Sequence, residues 1–352
     1  MNFGVRARIA SAMMSGHDQS SEFRAPASGL DALSDVLRSV RLTGAMLFLV
    51  ETSTPWVSWA PHADSFRHVV LPAAQHLISL HIVTHGGCWA GLTGEPPERL
   101  EVGDVLVIPH GDAYYLADPP DAQRTYCHDD AVAFFRDMAA GKLPPTVIEG
   151  GSGSGGSQFI CAFLGCDLRP FNPVLSALPR VVRVRRAVHA EGMSHLTAFA
   201  LHELREHRSG GQVVRLRMAE LLFVDAMRRY FETLPSGHTG WLAGLRDPVV
   251  ARALALLHNA PTESWTLDGI AAEAATSRSV LAERFVHFVG QPPMQYLRQL
   301  RMQLACRLLA EEGTKVVSVA AAVGFESEAA FSRAFKKCVG LSPDEWRRQQ
   351  VS

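Results

Sequence analysis

The run Gly324-Phe-Glu-Ser-Glu-Ala-Ala-Phe-Ser-Arg-Ala-Phe-Lys-Lys-Cys-Val-Gly-Leu-Ser-Pro-Asp-Glu-Trp346 decides the fold of the C-terminal third. It follows a short apolar helix over residues 316–323. Gly324 ends that helix, because glycine takes the left-handed conformation a sharp turn needs. Phe331 and Phe335, four apart, bury one face of the next helix. The opposite face carries Ser327, Glu328, Ala329, Arg333 and Lys336. A short helix, a tight turn and a second helix with a polar outer face form a helix-turn-helix.

The same pattern stands fifty residues upstream. Leu281 pairs with Phe331, Phe285 with Phe335, Gly290 with Gly340, Pro293 with Pro343 and Tyr296 with Trp346. Earlier in each copy Ile270-Ala271 matches Val319-Ala320 and Ala275 matches Gly324, one residue closer. The outer face of the first copy carries Arg278, Ser279, Ala282 and Glu283. Between the copies, residues 294–309 form one helix with Leu297, Leu300, Leu304 and Leu308 on a stripe. At 1.5 Å per residue it spans about 24 Å. Such a spacer suits two recognition helices set about one DNA turn, roughly 34 Å, apart. Asp247 as N-cap with Pro248 at the first helical position starts this helical domain, residues 245–352.

These residues closely resemble the signature of the AraC-type bacterial transcription regulators, over about 100 residues, and the segment from Trp265 to Tyr296 matches it as the run from Gly324 does. The resemblance implies an all-α DNA-binding domain with two helix-turn-helix units. By it, the base readers are Arg278, Ser279, Ala282 and Glu283 in the first unit and Ser327, Glu328, Ala329 and Arg333 in the second. Lys336 and Lys337 then lie near phosphates. Arginine pairs bidentately with guanine, glutamate accepts from cytosine and lysine supplies charge to the backbone. The plain alternative is that Glu283, Glu326 and Glu328 are solvated helix charges.

Residues 29–187 differ in kind. Short apolar runs at 46–50, 77–83, 105–108, 159–164 and 181–184 are broken by Gly and Pro and predict strands. Gly150-Gly-Ser-Gly-Ser-Gly-Gly-Ser157 has linker composition but reads as a loop inside this β domain. Residues 188–244 form a helical hairpin broken at Gly210-Gly211. Leu196, Phe199, Ala200 and Leu204 fall on one face of its first helix, and Val214, Met218, Leu221 and Leu222 lie in its second. The hairpin either packs on the β domain or forms a dimer interface.

Around Gly103-Asp-Val-Leu-Val-Ile-Pro-His-Gly111 the chain resembles the second motif of cupins, a similarity covering roughly residues 30–185. It implies a cupin-like β-barrel of the sensor type found on a subfamily of these regulators. The expected architecture is therefore α+β and multidomain: a cupin-like β-barrel, a helical hairpin linker and an all-α double helix-turn-helix domain. Metal-binding cupins gather histidines and a glutamate; the candidates are His76, His81, His85, His110 and Glu101. By period 2, His81 and His85 share a face. Tyr114 occupies a position where the family often has histidine, so no metal and no cofactor is expected. A small organic effector in the interior is favoured, lined by His81, Trp89, His110 and Tyr114, with Tyr115 near them.

Composition sets the outer limits. The chain has 352 residues, 47% hydrophobic and 20% charged, which excludes a mainly disordered protein. No apolar run reaches about 18 residues, so no spanning helix and no membrane partner is expected. Residues 1–28 lack the apolar core of a signal peptide and are expected to be disordered, with the protein in the cytoplasm. Net charge is −1, while residues 245–352 hold 13 Lys and Arg against 11 Asp and Glu. That weak basicity permits a nucleic-acid partner without arguing for one. Six dispersed cysteines form no disulfide framework and are expected to be buried thiols. The leading function is a non-enzymatic, sequence-specific transcription regulator controlled by a small-molecule effector. Promoter DNA, RNA polymerase and a second copy of the chain are its candidate partners. A metal-dependent cupin oxygenase or isomerase with an accessory helical domain is the alternative, and a helical protein-interaction domain is a third reading.

Overall fold

Alternation along one strand organises the N-terminal half. In β9 (Gln158–Cys166) the side chains of Phe159, Cys161 and Phe163 enter one core, and Ile160, Ala162, Leu164 and Cys166 enter another. A strand buried on both faces reads as a continuous apolar run, and this one does. It lies in a six-stranded sheet with β1 (Leu42–Ser53), β3 (His76–His85), β6 (Val105–Ile108), β8 (Thr146–Gly150) and β10 (Val182–Val184), in the order β10-β6-β3-β9-β1-β8. A four-stranded sheet has the order β2-β7-β4-β5, from β2 (Trp56–Ala60), β4 (Gly87–Leu92), β5 (Glu98–Glu101) and β7 (Tyr114–Asp118). Both hydrogen-bonded orders are open among the described residues, so the cupin-like fold here is two facing sheets rather than a closed barrel. The computed structural model describes residues 33–34, 37, 40, 42–123, 127–153, 155–167, 172–186, 191–206, 208–235, 240–311 and 313–351. The expectation for residues 1–28 lies outside them.

Between the sheets Phe48, Phe163 and Phe135 pack ring on ring with Phe66. Phe66 precedes α1 (Arg67–Val70), and Phe135 belongs to α2 (His128–Ala139), which closes that side. The glycine-rich loop joins β8 to β9 of one sheet and is thus internal to the domain. Its glycines have a steric reason. A Cβ at Gly156 would stand 2.1 Å from the Thr52 carbonyl, and one at Gly153 2.3 Å from that of Thr54. Close backbone approach, not linker flexibility, dictates that composition.

After α3 (Pro173–Ala177) the chain enters the hairpin, α4 (Glu191–Arg205) and α5 (Gly211–Thr233). Ala200, Leu204, Met218, Leu222 and Ala226 bury against the outer face of the six-stranded sheet. The expected shared face of α4 loses one member: Phe199, a 100° step from Ala200, is 51% exposed. On α5, Val213 and Leu221 are 63% and 55% exposed and Val224 follows on the same side. So the hairpin packs on the β domain and keeps an apolar outer face.

A single turn, α6 (Trp241–Gly244), connects it to the helical domain. The first helix-turn-helix unit comprises α7 (Pro248–Asn259), α8 (Leu267–Glu273) and α9 (Arg278–Val289). The spacer α10 (Pro293–Ala310) precedes α11 (Val316–Ala322), α12 (Glu328–Val339) and α13 (Pro343–Val351). At 18 residues, α10 is about 27 Å long. Asp247 caps α7, accepting from Val249 N and Val250 N at 3.0 Å each. The expected repeat is visible in the caps: Ser277 opens α9 and Ser327 opens α12, while Gly290 and Gly340 end them with φ of +77° and +87°.

Candidate nucleic-acid interface and sensor interior

The two recognition helices are built alike. Leu281 and Phe285 anchor α9, and Phe331 and Phe335 anchor α12; all four are fully buried. Anchoring by large residues four apart leaves the opposite face in solvent. Arg278, Ser279 and Glu283 are exposed on α9, with Ala282 half-buried beside them. On the second unit Ser327, Glu328, Ala329, Arg333, Lys336 and Lys337 are all exposed. The Arg278 guanidinium lies 3.7 Å from Asp268 in an open ion pair, which solvent screening keeps weak. Lys336 and Lys337 stand in the last turn of α12, where the helix dipole favours cations.

Ser327 has a task besides any contact with DNA. Its Oγ accepts from Ala330 N at 3.2 Å, as Ser277 Oγ accepts from Val280 N at 3.3 Å. The offset of fifty already pairs Ser327 with Ser277 rather than with a member of the first reading set.

In the N-terminal domain a buried polar group joins the sheets. His81 Nε2 meets the Tyr114 hydroxyl at 2.7 Å, and His81 Nδ1 meets Cys161 Sγ at 3.1 Å. Burial drives the His81 imidazole down to about 3, so it is neutral at physiological pH. The same burial raises the Cys161 thiol and lifts Cys88 to about 12, which keeps both protonated and unreactive. Glu149, hydrogen-bonded to Ser58, is pushed up to about 7 by desolvation. Cys161 and Glu149 are additions to the sequence reading. Cys161 was traceable: alternation in the run 159–164 sets it with Phe159 and Phe163, and it pairs directly with His81 across the ladder.

The other candidates do not join this group. Trp89 lies on the outward face of β4, because its neighbours Cys88 and Ala90 turn inward, and Arg99 sits over its ring at 5.8 Å. His110 Nε2 contacts the Leu178 carbonyl at 2.9 Å, and Tyr115 points opposite to Tyr114 along the strand. A register irregularity between Val83 and His85 breaks the period of two, so His85 is exposed and does not share the face of His81. His76 Nε2 contacts the Pro109 carbonyl, and Glu101 pairs with Arg99 at the surface. Among the described residues these groups do not converge on one point. Cys127 departs from the expectation of buried thiols: it is exposed, at the N-cap of α2.

Comparison with known proteins agrees with both halves. A family described as Cupin matches residues 31–232, and a family described as Helix-turn-helix domain matches residues 270–349. An AraC-like transcription regulator of Streptomyces lividans is 33% identical, covering 78% of this chain and 88% of its own. One from Streptomyces antibioticus is 32% identical, covering 81% and 91%. The HTH-type transcriptional regulator AlkR of Acinetobacter baylyi is 27% identical, covering 91% and 100%. The chain belongs to the AraC-type transcription regulators that carry a cupin-like N-terminal domain. These relatives are named as regulators of transcription, not as enzymes, so the oxygenase or isomerase reading is set aside. No helix among the described residues is long and apolar enough to cross a membrane.

Proposed function

We propose that the chain regulates transcription by reading promoter DNA with two helix-turn-helix units, under the control of a small molecule held in its N-terminal domain. Residues 29–187 act as the sensor, 188–244 as the connecting hairpin and 245–352 as the reader. One observation carries the proposal: α9 and α12 share the same cap, anchor and terminator and turn equivalent polar faces to solvent. Arg278 and Arg333 are suited to guanine, Glu283 and Glu328 to cytosine, and Ser279, Ala282 and Ala329 to close approach. Ser327 offers its hydroxyl hydrogen to a phosphate while its oxygen caps the helix. Lys336 and Lys337 supply backbone charge.

In the sensor, an effector held between the sheets would compete for the Tyr114 hydroxyl that His81 now engages. A ligand that prefers one arrangement of sensor and reader shifts the population towards it. The exposed outer face of α4 and α5 fits a second copy of the chain, and RNA polymerase is the partner through which bound regulator acts.

Selection of bound fragments from random duplex DNA tests this reading. Two half-elements about ten base pairs apart are expected. On the selected site Arg333→Ala should cost about 1–3 kcal/mol and relax preference at one position, while Lys336→Ala should reduce the salt slope by about one. Absence of any enriched sequence, with no salt dependence of binding, would reject it.

A further inference from the structure

Among the described residues the two helix-turn-helix units bury their apolar side chains in separate cores, and only α10 contributes to both. Tyr296, Leu297 and Leu300 belong to the first core; Met302, Ala305 and Leu309 belong to the second. Each core fixes its unit to the spacer, and neither fixes one unit to the other.

Arg301 stands at the changeover, between Leu300 and Met302. Its Nε donates to the Pro261 carbonyl at 2.8 Å, and its Nη2 donates to the Glu263 carbonyl at 2.7 Å. Both carbonyls lie in the loop between α7 and α8 of the first unit. The same guanidinium underlies the turn of the second unit: a Cβ at Gly324 would stand 3.2 Å from Arg301 Cζ and 3.3 Å from Nη1. One planar cation thus holds two carbonyls of one unit and packs against the turn that aims the recognition helix of the other. An ammonium group cannot do this, since it lacks the fork and the flat face.

We propose that Arg301 is a positioning residue that clamps the second reading unit to the first and sets the geometry in which both engage one duplex. It touches no base itself, and the inference rests on the two-unit reading proposed above. B-DNA completes a turn in about 10–10.5 base pairs, so one inserted pair rotates the second half-element by about 34°. A clamped pair of readers cannot follow that rotation, whereas a loosened pair can.

The test uses the full chain and three duplexes built on the selected site: intact, with one half-element scrambled, and with one base pair inserted between intact half-elements. Wild-type protein is expected to bind the intact duplex about tenfold more tightly than either of the others. Arg301→Gln should lower affinity for the intact duplex about fivefold and nearly abolish the insertion penalty. Its affinity for the scrambled duplex should stay unchanged, which a general folding defect would not allow. Arg301→Lys should fall between. Wild-type affinity and a wild-type insertion penalty in Arg301→Gln overturn the clamp, as does an equal loss on all three duplexes. If Arg301→Gln does not melt cooperatively, Arg301→Lys carries the same comparison, and its equality with wild type overturns the clamp. Wild-type protein that binds intact and scrambled duplexes equally sinks the two-unit reading, and the clamp with it.

Discussion

Ala275 holds φ at +50° in the turn of the first reading unit, where the second unit has Gly324 at +79°. A side chain in the left-handed region costs roughly 1–2 kcal/mol, offset in part by the extra freedom glycine has when unfolded. Ala275→Gly should therefore stabilise the protein by about 0.5–1 kcal/mol, seen as a raised midpoint in urea; a lowered midpoint would contradict the strain. Glu149 makes a second prediction at this scale. Its ordinary value is 4.5 and the folded value is about 7. Its contribution is fully present below pH 4.5, declines as pH rises because the unfolded carboxyl ionises first, and is gone above about pH 7. Glu149→Gln should match wild type near pH 4 and exceed it by up to about 3 kcal/mol at pH 8. Parallel pH profiles of unfolding for the two proteins would reject the assignment. Single residues were unevenly legible in the sequence. The anchors Phe331 and Phe335 follow from spacing alone. Trp89 does not, since alternation gives two faces without saying which is inner, and His110 turns to a carbonyl 68 positions away.

Elements were more legible, because a repeat supplies its own control. Caps, anchors and terminators recur fifty apart and all appear in the fold. What escaped was what a partner strand imposes. The irregularity opposite Gln158 that turns His85 outward depends on pairing with β9, which no local pattern encodes. The α4–α5 hairpin is half-legible: helical spacing gives most of its buried stripe, but not the exposure of Phe199 and Leu221. Gly324→Val tests the turn between α11 and α12. A β-branched residue would be forced into positive φ and against the Arg301 guanidinium. A loss of at least about 2 kcal/mol and of binding to the second half-element is expected, read by urea unfolding and by the scrambled-site comparison. Full stability with full binding would show that the turn tolerates what it should not.

At the scale of the molecule, the outer face of the hairpin invites the clearest trial. Val213, Leu221 and Val224 of α5 and Phe199 of α4 are exposed apolar residues of the hairpin. Leu221→Glu should convert a dimer to a monomer in sedimentation while shifting stability by no more than about 0.5 kcal/mol. A wild-type chain already monomeric at tens of micromolar would remove the hairpin from the list of interfaces. The β domain and the helical domain also touch directly. Arg307 of the spacer reaches Asp167, just beyond β9, at 3.3 Å. Trp241 and Leu242 join the apolar residues of α3 to those of α7 and α9.

The six-stranded sheet, buried on both sides, carries a last implication. Its outer side shares one uninterrupted apolar mass with the hairpin and the first reading unit, from Leu49 through Leu222 to Phe285. Injury to that mass is therefore collective: a void opened at Leu204 or Leu254 weakens the sheet and the first reader together. A void at Val319 is confined to the smaller second reader. Robustness in this chain is therefore divided unequally between its two helix-turn-helix units.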